Sequence, residues 1–195
     1  ARELGVGRLV YSSSSSVVGD QDTHVVREDM SPRPVSPYAL QKLMGEQYAG
    51  MFARLFGLSA VSLRYFNVYG PRQLTEGAYA LVIGKFIRQK QQGETLTVYG
   101  DGEQTRAYTY VSDVVRANVL AAQRPLEPGS HLVLNIGTTV ETSVNAVAAR
   151  VGGDVRHVIP NPRGHLEELR KVADNAKAAE ALGWRPEVDF EEGMR

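Results

Sequence analysis

Arg8-Leu9-Val10-Tyr11 runs directly into five serines, Ser12 to Ser16, and then into Val17-Val18-Gly19. Runs of one polar residue are usually flexible linkers. Here both flanks are apolar and the second ends on glycine, so the tract reads as the end of a buried strand entering a turn. Ligands of open parallel sheets collect at the carboxyl ends of the strands, and serine hydroxyls placed there can hydrogen-bond a bound hydroxyl. Upstream, Gly5 stands where a helix C-cap is expected, so the chain reads as opening on the last turn of a helix inside a βα repeat.

Working outward, helical patterns over 37–56, 79–91, 112–122, 142–151 and 175–182 alternate with extended runs over 9–11, 59–65, 96–99, 107–111, 132–136 and 155–159. This alternation predicts an α/β fold built on a parallel sheet. Ser36-Pro37 supplies an N-cap followed by proline at the first helical position, where the missing N–H is not needed. Gly57 ends that helix as its C′ residue. Gly100-Asp101-Gly102 lies between two extended runs and marks a turn.

Composition narrows the function classes. The 195 residues suffice for one domain with a sizeable core and are short for two. Lys plus Arg and Asp plus Glu number 22 each, so bulk charge favours neither nucleic acid nor an anionic membrane. With 43% hydrophobic residues, 19 Gly and 9 Pro the chain is ordinary globular material. The absence of cysteine excludes disulfides, thiolate metal sites and a cysteine nucleophile, and fits a reducing cytoplasm. No apolar run approaches the roughly 18 residues of a membrane span, and the first residues do not form a signal peptide. His24, His131, His157 and His165 lack the spacing of a zinc site, so no metal is expected.

In Ser36-Pro37-Tyr38-Ala39-Leu40-Gln41-Lys42, Tyr38 and Lys42 are four apart and share one helical face. An ammonium beside a phenol favours the phenolate and makes it a proton acceptor. The same spacing also suits a half-buried tyrosine and a solvated lysine, so the pair alone decides nothing. The serine strand end about two dozen residues upstream supplies the missing context.

Those two features, with Leu63-Arg64-Tyr65-Phe66-Asn67-Val68-Tyr69-Gly70-Pro71-Arg72, resemble the extended short-chain dehydrogenase/reductase family, specifically nucleotide-sugar epimerases of the UDP-glucose 4-epimerase type. Gly100-Asp101-Gly102, Tyr110-Val111-Ser112-Asp113-Val114 and Leu182-Gly183-Trp184-Arg185-Pro186 follow in the family's order, so the resemblance covers nearly the whole chain. It implies part of a doubly wound, Rossmann-like parallel-sheet fold: the C-terminal part of an NAD-binding domain over 1–70, and a mixed, mainly sugar-nucleotide-binding region over 71–195 whose strands return to the core.

The resemblance also implies roles. Ser14 matches the catalytic serine, Tyr38 the acid/base, and Lys42 the residue that tunes the tyrosine and holds the nicotinamide ribose. Ser12, Tyr38, Lys42 and Tyr65 fall at cofactor positions for NAD. Asn67 and Arg106 match residues that hold the diphosphate, a task suited to the guanidinium fork. Val82 and Tyr99 lie in the two segments that cradle uridine, and Arg163 resembles a further phosphate arginine. The implied reaction is epimerisation of a UDP-sugar at carbon 4 (UDP-glucose/galactose or a UDP-N-acetylhexosamine) through a 4-keto intermediate. Tyr38 takes the 4-hydroxyl proton while hydride leaves for a resident NAD. A homodimer is expected for the full-length form.

Three departures matter. The glycine-rich loop that opens the family's first βαβ unit, and the acidic residue after it, are missing. The chain therefore reads as the downstream part of an epimerase, with weak or no NAD binding expected when it stands alone. The spacing from Arg163 to Ala173-Asp174 is shifted. Lys171, three residues before Asp174, stands where the family sets the room for the sugar's carbon-2 substituent and could meet the carboxylate of a UDP-uronic acid, or be a solvated flanking lysine. Ser15-Ser16 after Ser14 replace the acidic residues of dehydratase and decarboxylase relatives, which favours epimerisation. The competing reading is an inactive or structural sugar-nucleotide-binding fragment.

Overall fold

A computed structural model describes residues 1–77, 80–161 and 170–195. In chain order the strands are β1 (Arg8–Ser14), β2 (Val25–Val26), β3 (Ser59–Tyr65), β4 (Val68–Tyr69), β5 (Leu96–Tyr99), β6 (Thr105–Arg106), β7 (Thr109–Tyr110), β8 (His131–Ile136), β9 (Thr142–Ser143), β10 (Val155–Val158) and β11 (Val172–Ala173). The helices are α1 (Pro37–Phe56), α2 (Val82–Gln91), α3 (Val111–Gln123), α4 (Val144–Val151), α5 (Ala176–Leu182) and α6 (Phe190–Gly193). The last helical turn expected at Ala1–Gly5 is a short 3-10 turn, Arg2–Leu4, closed by Gly5 in the left-handed region.

The fold is α/β. β1, β3 and β8 form a parallel sheet in that order, with Ser14 opposite Tyr65 and Tyr65 opposite Ile136. Successive side chains on a strand point to opposite faces, and that alternation sorts the molecule. Tyr11, Ser13, Ser62 and Arg64 face α1, as the contacts of Gly45, Glu46 and Gly50 with Tyr11, Ser13, Arg64 and the Ser62–His131 pair show. Val10, Val61, Leu63 and Leu134 face the other way and pack against Val114, Ala117 and Ala121 of α3 and Ala178 and Leu182 of α5. Trp184 is fully buried in this core, and its indole N–H donates to the Asp113 carbonyl at 2.9 Å.

A second core joins Ile83 and Phe86 of α2, Leu96 and Val98 of β5, and Val147, Ala148 and Val151 of α4. β5 pairs in parallel with β10, while β6 pairs antiparallel with β9. Among the described residues no helix is long and apolar enough to cross a membrane.

The helix over 37–56 and the strand over 59–65 have the expected bounds, because their punctuation is local. The Ser36 hydroxyl accepts from the Ala39 N–H at 3.1 Å, and Gly57 closes α1 at φ 70°. Elsewhere pairing overrides pattern. The helix expected over 142–151 begins only at Val144: Thr142 is extended because it pairs with Arg106, and Ser143 caps the helix through Ala146 N–H at 3.1 Å. Within 107–111 only Thr109 and Tyr110 form a strand, pairing with Val68 and Tyr69, and Val111 already belongs to α3. The helix expected over 79–91 is described from Val82.

Candidate active site

α1 carries Tyr38 and Lys42 to the carboxyl end of β1. Lys42 Nζ donates to the Ser12 carbonyl at 2.7 Å and lies 5.7 Å from the centre of the Tyr38 ring and 5.6 Å from that of Tyr11. The close seat of the helix depends on Gly45, where a Cβ would come within 2.1 Å of the Tyr11 hydroxyl. Tyr38 is 36% exposed. Burial pushes the Tyr11 phenol up, with Glu46 and Tyr38 adding to the shift, so Tyr11 stays protonated beside the same ammonium.

Ser14 ends β1 and is buried. Its Oγ accepts from the Ser16 N–H at 3.2 Å and the Ser16 hydroxyl at 2.9 Å. A hydroxyl that accepts twice still carries its own hydrogen, so Ser14 is oriented as a donor. Ser12 and Tyr65 belong to the α3 face: their hydroxyl oxygens are 3.1 Å apart, and the Tyr65 hydroxyl donates to Asn118 Oδ1 at 2.9 Å. Among the residues matched to the cofactor, Tyr38 and Lys42 thus lie together on the α1 side. Ser12 meets Lys42 through its carbonyl, and the phenol of Tyr65 points to the opposite face.

A phenol, an ammonium and serine groups at the ends of parallel strands fit ribose hydroxyls in kind. For the pyrophosphate of a dinucleotide the sequence holds no glycine-rich turn between strand and helix. Among the described residues, Tyr38, Lys42 and the strand-end serines therefore suit one end of a dinucleotide.

Four of the residues matched to substrate, Asn67, Val82, Tyr99 and Arg106, line one cavity of about 500 Å³, within the usual range of ligand pockets. They come from the loop before β4, the start of α2, the end of β5, and β6. Asn67 sits at φ 35°, a left-handed conformation asparagine tolerates; its amide donates to the Ala107 carbonyl at 3.2 Å. Arg106 Nη1 donates to the Thr105 carbonyl at 2.7 Å, and the Thr105 hydroxyl donates to Glu141 at 2.6 Å. Hydrogen bonds from Arg170 and Thr105 hold the Glu141 carboxyl down to about 2, so it stays charged and keeps β6 in place.

Ser14, Tyr38 and Lys42 are not on this cavity wall. Arg163 lies outside the described residues. Lys171 is not a solvated flanking lysine: it is buried, and its ammonium donates to the Gly19 carbonyl at 3.2 Å. Sequence reasoning missed Lys85 and Gln104 on the cavity wall and the buried group Ser13, Glu46 and Arg64 under the strand end. A signal for Glu46 existed, since it repeats the four-residue step of Tyr38 and Lys42.

Residues 1–137 match the model of the NAD dependent epimerase/dehydratase family. The chain belongs to that family. Among curated relatives, the UDP-glucose 4-epimerase of Mycolicibacterium smegmatis is 40% identical over 200 residues, covering 100% of this chain and 62% of its own length. Among solved structures, the UDP-N-acetylglucosamine 4-epimerase of Methanobrevibacter ruminantium M1 in complex with UDP-N-acetylmuramic acid superposes with a TM-score of 0.88 at 32% identity, covering 100% of this chain and 62% of that one. MoeE5 in complex with UDP-glucuronic acid and NAD superposes at 0.86 and 37% identity, covering 99% and 64%. The chain thus spans about three fifths of the length of these relatives.

Proposed function

We propose that this chain carries the acid/base helix and the sugar-nucleotide cavity of an NAD-dependent UDP-sugar 4-epimerase. The observation that carries the reading is the convergence of Asn67, Val82, Tyr99 and Arg106 on one cavity of about 500 Å³, in a chain of this family. Arg106 and Asn67 offer a charged fork and an amide to a diphosphate. Val82 and Tyr99 offer an apolar edge and an aromatic face to the base. At the strand end, Tyr38 Oη takes the proton of the sugar's 4-hydroxyl and returns it after the sugar has turned, while Ser14 donates to the same oxygen and orients it. Lys42 stands beside the Tyr38 ring and would hold a ribose hydroxyl of the dinucleotide. NAD, when bound, supplies a reversible hydride acceptor.

Calorimetric titration of the 195-residue chain with UDP tests the cavity: binding is expected, weakened by Asn67→Ala and by Arg106→Ala. Tyr38→Phe in the NAD-loaded protein tests the chemistry, with epimerisation abolished and UDP binding kept. Absent UDP binding, or undiminished turnover of Tyr38→Phe, would remove the reading.

A further inference from the structure

We propose that Glu46 is a positioning residue: its carboxylate, gripped at once by Ser13 of β1 and Arg64 of β3, sets the height at which α1 presents Tyr38 and Lys42 to the end of β1. The inference rests on the reading of Tyr38 and Lys42 as the proton-handling pair.

Glu46 follows Lys42 by four positions and Tyr38 by eight, so all three share one stripe of the helix. Glu46 is 4% exposed and Arg64 3%. Glu46 Oε1 accepts from Ser13 Oγ at 2.5 Å and from Arg64 Nε at 2.9 Å, and Oε2 accepts from Arg64 Nη2 at 2.8 Å. Ser13 and Arg64 are register partners across the β1–β3 pair. A single carboxylate therefore pins the helix to one rung shared by two strands. The adjacent residue of β1, Ser12, receives Lys42 through its carbonyl.

The other buried residues of α1 are Ala39, Ala49, Gly50 and Ala53, small apolar groups that let the helix approach closely but make no directional bond. A slip of one residue, about 1.5 Å along the helix axis, would break the Glu46 clamp and the Lys42–Ser12 bond together. Stability by itself does not call for such a clamp, because apolar replacements of a buried ion pair are often neutral or stabilising. What the carboxylate uniquely supplies is directional attachment at one height.

Carbonyl ¹³C NMR of the 195-residue chain reads the Lys42–Ser12 bond directly. Lys42→Met calibrates how far the Ser12 carbonyl resonance moves when the ammonium is removed. Glu46→Gln is expected to reproduce most of that displacement with Lys42 untouched. Ser13→Ala, which removes one donor and keeps the ion pair, should give a smaller displacement in the same direction. If Glu46→Gln does not fold, the double variant Glu46→Met/Arg64→Met buries no lone charge. It should keep its thermal midpoint and still move the Ser12 resonance. An unmoved Ser12 resonance in a folded Glu46 variant would overturn the proposal.

In the NAD-loaded protein Glu46→Gln should lower kcat by about tenfold to a hundredfold with KM unchanged, as misplacement of a reacting group does. A rise in KM at constant kcat would also overturn it. The carbonyl signal needs neither cofactor nor turnover. Active Tyr38→Phe with a displaced Ser12 resonance in Glu46→Gln would therefore sink the proposed function and leave the positioning role standing.

Discussion

The ammonium of Lys42 donates to the main-chain carbonyl of Ser12 at 2.7 Å, joining two residues 30 positions apart. That bond anchors the lysine beside the Tyr38 ring at the strand's carboxyl end, the place at which the proposed function has a sugar alcohol deprotonated.

Lys42→Met is expected to lower kcat of the NAD-loaded protein by about a hundredfold or more, the scale of positioned proton transfer. UDP affinity should be unchanged, since Lys42 is not on the cavity wall. Steady-state kinetics alongside UDP calorimetry checks the split.

Arg106→Ala should weaken UDP binding by about tenfold to a hundredfold, the range for losing a charge-assisted hydrogen bond. Uridine, which lacks the diphosphate, should bind the variant and the parent chain alike. Parallel titrations with the two ligands check whether Arg106 reads phosphate.

His131 Nε2 lies 2.9 Å from Ser62 Oγ between α1 and the sheet. Burial is the chief cause pushing the imidazole below its ordinary 6.5, with Arg54, Lys177 and Arg64 adding and Glu46 opposing. A histidine whose folded value is depressed binds its proton more readily when unfolded. Its contribution to stability is therefore complete above about pH 6.5 and is lost as pH falls below that value. Thermal melts from pH 8 down to about 5 should show a falling midpoint, and His131→Gln should flatten that fall.

The Asp113 carboxylate accepts from the backbone N–H groups of Glu187 and Val188 at 3.1 Å and from Arg116 at 2.9 Å, tying the start of α3 to the segment after Trp184. Asp113→Ala leaves these donors without their acceptor. It should cost about 1–3 kcal/mol, the scale of leaving hydrogen-bonding groups without a partner. Urea unfolding at constant slope is the measurement.

Some features were legible because their causes are local. Ser36, Pro37 and Gly57 fix the limits of α1 from neighbouring residues alone, and the four-residue step from Tyr38 to Lys42 places both on one face whatever the helix packs against. Features that depend on distant partners were not. Thr142 looks like the first turn of a helix until Arg106 pairs with it. Lys171 reads equally well as a solvated flanking lysine until the fold buries it and gives its ammonium the Gly19 carbonyl.

The sequence by itself determined the alternation of strands and helices, the capped helix that carries Tyr38 and Lys42, and the family to which its motifs are similar, since propensity, caps and periodicity act over a few residues. Tertiary structure alone decided that Asn67, Val82, Tyr99 and Arg106 share a cavity, that Ser12 offers Lys42 a carbonyl and not a hydroxyl, and that Glu46 locks α1 to Ser13 and Arg64. Those relationships arise from pleat parity and strand register, and both are set by which chain segments pair across long sequence separations.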